Sequence, residues 1–124
     1  MNDTKKLSYG AILYVDQEKW YIKMDTQGPD TRYKRKPFYI TENNLEEYCT
    51  HLIRNFETYE RLKKEGKNML TQGEGNHWIR FGLGEGVCLC GKDYPVKTRE
   101  KLDRWIDEIT SCIQEIEEKK QAKD

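Results

Sequence analysis

Hydrophobic and polar residues alternate with a period of two in the first third of the chain. Trp20, Ile22 and Met24 are separated by tyrosine or charged residues, which is the pattern of a half-buried β-strand. Pro37 lies in the last such stretch and predicts an edge or bulged strand there, because proline cannot donate a ladder hydrogen bond. The predicted strands cover residues 9–15, 20–25 and 31–40.

Two longer stretches instead repeat their hydrophobic residues at helical spacing, over residues 42–65 and 99–119. Thr41 or Asn43 can cap the first helix, and Thr98 can cap the second. Gly66 follows the first stretch, where a helix ordinarily stops. Both helices are expected to be amphipathic, so each needs a sheet, the other helix or a partner to cover its apolar side.

Two further short strands are expected between the helices, at about 77–83 and 86–90. The predicted order is β-β-β-α-β-β-α, which indicates an α+β fold with a small antiparallel sheet of about five strands and two long amphipathic helices. The expected organisation is a flexible N-terminus over 1–8, a single domain over 9–119 and a frayed tail over 120–124.

The two helical stretches resemble each other from their threonines onward. Thr41 and Thr98 are each followed four residues later by leucine and then by an aromatic residue three further on. Upstream, KWYIK from Lys19 resembles HWIRF from His77. One hypothesis is an internal duplication with a site between the units. The alternative is that any two capped amphipathic helices look alike, because helical periodicity forces most of the matches.

The overall charge argues against some functional classes. The chain has 22 Lys plus Arg and 22 Asp plus Glu among 124 residues. A dedicated duplex-DNA binder usually carries a basic excess, and a DNA mimic is strongly acidic.

No stretch of the N-terminus resembles a signal peptide and no apolar run could span a bilayer. We therefore expect a cytoplasmic protein without membrane association, whose cysteines are reduced.

Residues 73–92 hold six of the nine glycines and suggest three interpretations. The first is structural, a glycine-rich hairpin with Trp78 packed on a helix. The second is a site for a nucleotide-like anion, in which exposed amides, the Trp78 ring and the cations Arg80 and Lys92 bind the ligand. Neither a P-loop nor a dinucleotide fingerprint is present.

The third interpretation of this stretch is a zinc site. Cys88 and Cys90 share one side of a strand, and Cys49, His51 or His77 could complete a ligand set. The spacing C-x-C is not that of the usual zinc knuckle, and cysteines are common core residues. We therefore expect no metal and no other cofactor.

A dense basic segment offers a second candidate surface. Alternation would place its residues on both sides of a strand, with tyrosine among the cations, an arrangement that can hold a nucleic-acid backbone or an acidic protein surface. The alternative is that edge strands carry cations to prevent edge-to-edge pairing. The segment comprises Arg32, Tyr33, Lys34, Arg35 and Lys36.

No catalytic motif surrounds the cysteines, histidines or hydroxyls. The leading hypothesis is a non-enzymatic binding or inhibitory protein that occupies a macromolecular partner, a nucleic-acid-handling enzyme of a host defence system. The small size and the Lys-, Glu-, Asn- and Tyr-rich composition resemble those of phage and mobile-element accessory proteins. The alternatives are sequestration of a nucleotide-like ligand, at a subunit interface if the chain self-associates, and a zinc-stapled domain or cysteine-dependent enzyme.

Overall fold

A computed structural model describes residues 2–17, 19–24, 38–66, 71–72, 78–80, 86–89 and 95–122. Four strands and a helix are followed by four more strands and a second helix. The elements are β1 (Asn2–Lys6), β2 (Ile12–Asp16), β3 (Lys19–Met24), β4 (Phe38–Ile40), α1 (Leu45–Lys64), β5 (Thr71–Gln72), β6 (Trp78–Arg80), β7 (Gly86–Cys88), β8 (Pro95–Val96) and α2 (Arg99–Ala122). This architecture confirms the predicted α+β class, with two helices and antiparallel strands.

The first sheet has the order β1-β2-β3-β4, and all its neighbours are antiparallel. Ile22 pairs with Leu13 on one side and Ile40 on the other, and all three are buried. Strand β1 lies within residues 1–8, where the sequence pattern predicts no strand. The five residues of β1 are all polar and show no hydrophobic alternation. All five nevertheless pair with residues of β2.

The second sheet has the order β5-β6-β7-β8 and repeats the topology of the first. Val87 pairs with Ile79 and Val96, again forming a buried row across three strands. Strands β5 and β8 have two residues each. A segment that short cannot establish a period of two, which is why the sequence indicated fewer strands.

Both helices begin and end near their predicted positions. Thr98 caps α2, since its hydroxyl accepts a hydrogen bond from the Lys101 N–H at 3.1 Å. Gly66 follows α1 with a positive φ of 69° and donates its N–H to Lys63 O, as expected at a helix C-terminus. The second helix continues through Ala122, beyond the predicted end at 119.

The two halves are interlocked around one continuous core. Helix α1 packs against β6 and β7 of the second sheet. Helix α2 in turn contacts the first sheet, where Lys5 of β1 donates a hydrogen bond of 3.6 Å to Cys112 Sγ. In the β1–β2 connection, the Tyr9 ring meets the Trp105 ring edge-on at 5.3 Å. Between the helices, Trp105 Nε1–H donates a buried hydrogen bond of 3.0 Å to the Tyr48 hydroxyl. Neither sheet is therefore covered by its own half alone.

This hydrogen bond joins corresponding positions of the two halves. Tyr48 and Trp105 are 57 residues apart, and the same offset separates Thr41 from Thr98. The repeated strand order and the repeated helix extend the resemblance to the whole of each half. The upstream match of the two tryptophans is wrong, however, because Trp20 lies in the third strand of its sheet and Trp78 in the second.

A tight corner between β1 and β2 fixes the first sheet to α2. Ser8 donates its backbone N–H and its hydroxyl to the two carboxylate oxygens of Glu108, at 2.9 and 2.7 Å. Tyr9 and Gly10 both have positive φ, 60° and 73°. A tyrosine in this backbone conformation is strained, and its ring contact with Trp105 and the Ser8–Glu108 bonds help to hold it there.

Candidate functional site

The first sheet has one face in the core and one face toward solvent. Along β3, exposed and buried residues alternate without interruption. Tyr14 pairs directly with Tyr21, and Lys23 pairs with Tyr39, so all four residues lie on the side opposite the buried row. We call this surface the tyrosine face. Its described side chains are Thr4, Lys6, Ile12, Tyr14, Asp16, Lys19, Tyr21, Lys23 and Tyr39.

Three tyrosines on adjacent strands form a continuous aromatic series across this face. The Tyr14 and Tyr21 rings are stacked, with centroids 4.9 Å apart and planes inclined by 14°. Tyr39 meets Tyr21 edge-on, at 5.7 Å and 72°. Tyr21 and Tyr39 are the large hydrophobic side chains most exposed in the described part of the chain, at 38% and 43%. The three rings therefore pack against one another as an aromatic cluster on the sheet, with Tyr21 and Tyr39 exposed to solvent.

Cations surround these rings. Lys6, Ile12, Lys23 and Tyr39 form one row across the four strands, and Lys19 lies one row beyond the stacked tyrosines, opposite Asp16. The described tyrosine face therefore carries three lysines against one aspartate, although the chain as a whole is neutral. The exposed lysines add a local positive field to the aromatic surface.

The buried side of the same strands makes the tyrosine positions rigid. Trp20, Ile22 and Met24 alternate with the exposed residues of β3 and lie in the core. A slip of one residue in the register would expose these three side chains and bury the lysines, so the register is strongly determined. The tyrosines are thus presented from a fixed backbone rather than from a loop.

Most residues predicted to bind a ligand or partner lie outside the described residues. They are Arg32, Tyr33, Lys34, Arg35, Lys36 and Lys92. In the sequence, the basic segment connects β3 to β4, the two strands that carry Tyr21, Lys23 and Tyr39.

The structure places the backbone of the two remaining predicted residues in the second sheet. Trp78 pairs with Cys88, and Arg80 pairs with Gly86. They therefore occupy alternate positions of β6 on either side of buried Ile79. Trp78 and Arg80 belong to a different sheet from the tyrosine face.

The proposed zinc ligands are also separated into described and undescribed residues. Cys88 is buried in β7, and Cys49 is half-buried in α1, where burial raises the pKa of its thiol. His77 and Cys90 lie outside the described residues. Within the described ranges, no group of three His, Cys, Asp or Glu side chains is placed to hold a metal ion.

Sequence reasoning did not select the residues that form the tyrosine face. The alternation over 20–25 correctly separates Tyr21 and Lys23 from the buried residues. What it cannot show is that Tyr14 and Tyr39 lie beside Tyr21, because strand register depends on pairing between segments. The available signal was a tyrosine in each of three strands that were expected to pair.

Two further findings concern membrane-spanning segments and similarity to known proteins. Among the described residues, neither helix is long and apolar enough to cross a membrane. Comparisons of the chain with protein-family models, with curated proteins and with solved structures find no match.

Proposed function

We propose that this protein is a non-enzymatic binding protein whose tyrosine face binds single-stranded nucleic acid. The observation that carries the proposal is the series of adjacent rings of Tyr14, Tyr21 and Tyr39 on a rigid sheet, in which Tyr14 is half-buried and the other two are exposed. Unpaired bases stack on exposed aromatic side chains regardless of sequence, because every base has a π-face. Sheet surfaces that present such rings are a recurrent way to bind single strands.

The lysines of the tyrosine face support the same ligand. Lys6 and Lys23 lie in the row beside the stacked tyrosines, where they can contact phosphates while bases contact the rings. A duplex would satisfy the lysines but not the tyrosines, since its bases are already stacked on one another. The preference expected from this surface is therefore for single strands over duplex.

The basic segment at Arg32, Lys34, Arg35 and Lys36 fits this proposal as an extension of the positive field. It connects the strands that bear Lys23 and Tyr39. We expect its simultaneous replacement by glutamine to weaken binding and to reduce the salt dependence of the association constant. Unchanged affinity and salt dependence would leave edge protection as the role of these cations.

The central experiment measures binding of fluorescently labelled oligonucleotides by anisotropy, with single-stranded DNA, single-stranded RNA and duplex DNA as separate ligands. Tyr21→Ala should weaken single-strand binding by about 1–3 kcal/mol, or roughly 5- to 150-fold, because one stacked base loses its partner. Tyr21→Phe should retain most of the affinity. Wild-type protein that binds no single strand, or a Tyr21→Ala variant that binds as well as wild type, would refute the proposal.

The lysines provide a second, matched comparison. Lys23→Gln should reduce the slope of log K against log salt by about 0.7 if it contacts one phosphate of a single strand. Lys101→Gln, which replaces another exposed lysine, on α2, should leave the slope unchanged. Equal effects of the two substitutions would indicate a diffuse charge effect instead of a site.

A protein partner is the second candidate, and the zero net charge of the chain favours it. A surface of tyrosines also suits a protein interface, where aromatic residues are enriched. In that case the protein would inhibit a nucleic-acid-handling enzyme by occupying it, as the sequence suggested. Inhibition of such an enzyme that is lost in Tyr21→Ala, without any oligonucleotide binding, would favour this candidate.

The nucleotide-binding alternative remains a prediction for Trp78, Arg80 and Lys92. A thermal-shift series with linear and cyclic nucleotides tests it, since a ligand at 100 times its dissociation constant adds about 2.7 kcal/mol of stability. A shift that Arg80→Gln abolishes and Tyr21→Ala does not would locate that ligand at the second sheet.

A further inference from the structure

We propose that β1 pairs with β1 of a second copy of this chain and joins the two first sheets into one antiparallel sheet. The proposal rests on the position of β1 at the edge of its sheet, on its charge sequence and on its register with the tyrosines. The dimer itself goes beyond the proposed function, and only its consequence for the ligand depends on that function.

Strand β1 offers a free edge of useful length. It pairs with β2 over five residues, and in the sheet order it has no neighbour on its other side among the described residues. Asp3, Thr4, Lys5 and Lys6 are all exposed. An edge strand presents unpaired backbone N–H and C=O groups and can act as a template for another strand.

The charges of β1 are complementary to themselves in one antiparallel register. If two copies pair around a two-fold axis at Thr4, Asp3 of each copy lies opposite Lys5 of the other, and Asn2 lies opposite Lys6. Directly opposed unlike charges stabilise a strand pair, whereas like charges destabilise it. This register also pairs all five residues. Lysines on an edge strand ordinarily discourage edge-to-edge pairing, but in this register each Lys5 meets an aspartate of the other copy.

This register would also align the tyrosine faces of the two copies. Thr4 pairs with Tyr14, which pairs with Tyr21, so these three residues form one row across the first sheet. A two-fold axis at Thr4 extends this row directly into the corresponding row of the second copy. The two Tyr14 residues would then be three strand spacings apart, about 14 Å, on the same side of an eight-stranded sheet.

The second copy is therefore expected to lengthen the surface available to a single strand. A short oligonucleotide can occupy the tyrosines of one copy, and a longer one can contact those of both. The dimer binds the longer ligand more tightly because the second contact is intramolecular.

The test is a charge swap followed by analytical ultracentrifugation of untagged protein, since an N-terminal tag would extend β1. Wild type should show a concentration-dependent monomer–dimer equilibrium. Asp3→Lys and Lys5→Asp should each weaken self-association at least about tenfold, because both ion pairs become like-charge pairs. An equimolar mixture of the two variants should associate again, since each position 3 then meets an opposite charge at position 5.

Two controls accompany this test, one for loss of folding and one for a general change of charge. Lys5 also donates a hydrogen bond of 3.6 Å to Cys112 Sγ, so thermal melts must show that Lys5→Asp remains folded, and Lys5→Gln replaces it if not. Lys101→Asp on α2 is the control for a general change of charge. Wild type that stays monomeric at all concentrations would overturn the proposal. A dimer that neither variant weakens, or variants that fail to associate when mixed, would also overturn it.

The ligand consequence is measured separately. Asp3→Lys should bind short single strands as wild type does and should lose the additional affinity for long ones. If wild type binds no single strand but shows the charge-dependent dimer, the proposed function fails and the β1 pairing stands. If single strands bind and no dimer forms, the β1 pairing fails and the proposed function stands.

Discussion

The two four-stranded sheets share one topology but differ in how their central strands are buried. In β3, alternate residues are exposed, and the exposed ones include Tyr21. In β7, Gly86, Val87 and Cys88 are all buried. A strand with one exposed face can present side chains to a ligand, whereas a strand buried on both sides can only serve packing. The two sheets thus share a strand order but differ in the exposure of their third strands.

Tyr21 and Gly86 show this difference at corresponding positions. Tyr21 precedes Ile22, the centre of the buried row in the first sheet, and Gly86 precedes Val87, the centre of the buried row in the second. Gly86 has a φ of 139°, and a Cβ atom there would lie 2.8 Å from the Val96 carbonyl carbon and closer still to its oxygen. The second sheet therefore has no room for a side chain at the position where the first sheet carries the Tyr21 ring.

The largest expected effect comes from adding one methyl group at this position. Gly86→Ala should reduce the free energy of unfolding by about 3–5 kcal/mol, since backbone strain and overlap with the Val96 backbone add together. Gly66→Ala is the matched control, because Gly66 also has a positive φ but no atom lies within 4 Å of its Cβ position. Urea denaturation of the two variants measures the difference. Equal losses would mean that the packing of β7 against β8 does not require glycine.

The second prediction compares the same substitution, tyrosine to phenylalanine, at a buried residue and at an exposed one. Tyr48→Phe removes the acceptor of the Trp105 hydrogen bond and leaves a buried N–H without that partner, which should cost about 1–3 kcal/mol. Tyr21→Phe removes a hydroxyl from the exposed face and should change stability by less than about 0.5 kcal/mol. Chemical denaturation compares the two directly. A loss for Tyr21→Phe as large as that for Tyr48→Phe would contradict this difference between the exposed and the buried residue.

The helices and the alternating strand could be predicted because their signals are local. Thr98 and Gly66 mark helix ends through short-range hydrogen bonding and backbone preference. Residues 20–25 carry enough alternating positions to show which side of β3 is buried. Strand β1 could not be predicted, since a wholly polar edge strand is held by backbone pairing and not by a hydrophobic face.

The candidate site depended on information that the sequence does not carry locally. Individual tyrosines in three strands become one surface only through the register, which pairs Tyr14 with Tyr21 and Lys23 with Tyr39. The glycine-rich stretch drew attention to Trp78 because its composition is unusual. Gly86, within that stretch, lies in β7, where a Cβ atom would overlap the Val96 backbone.

The smallest expected effect concerns a third tyrosine, Tyr9, which holds the corner of the first sheet on α2. Burial raises the pKa of its hydroxyl above the ordinary value of 10.0, and the nearby Glu108 carboxylate raises it further. The folded state therefore disfavours the phenolate more than the unfolded state does. The resulting contribution to stability is fully present below pH 10 and is lost as the pH rises through the folded pKa.

Tyr9→Phe tests this contribution, because it keeps the ring against Trp105 and removes the titrating group. Denaturation between neutral pH and pH 11 should show wild type losing stability relative to Tyr9→Phe only above about pH 10. Glu108→Gln should reduce this difference without removing it, since burial is the larger of the two causes. If Glu108→Gln removes the whole pH dependence, the carboxylate and not burial controls Tyr9. The corner would then be an electrostatic contact, unlike the buried contact between Tyr48 and Trp105.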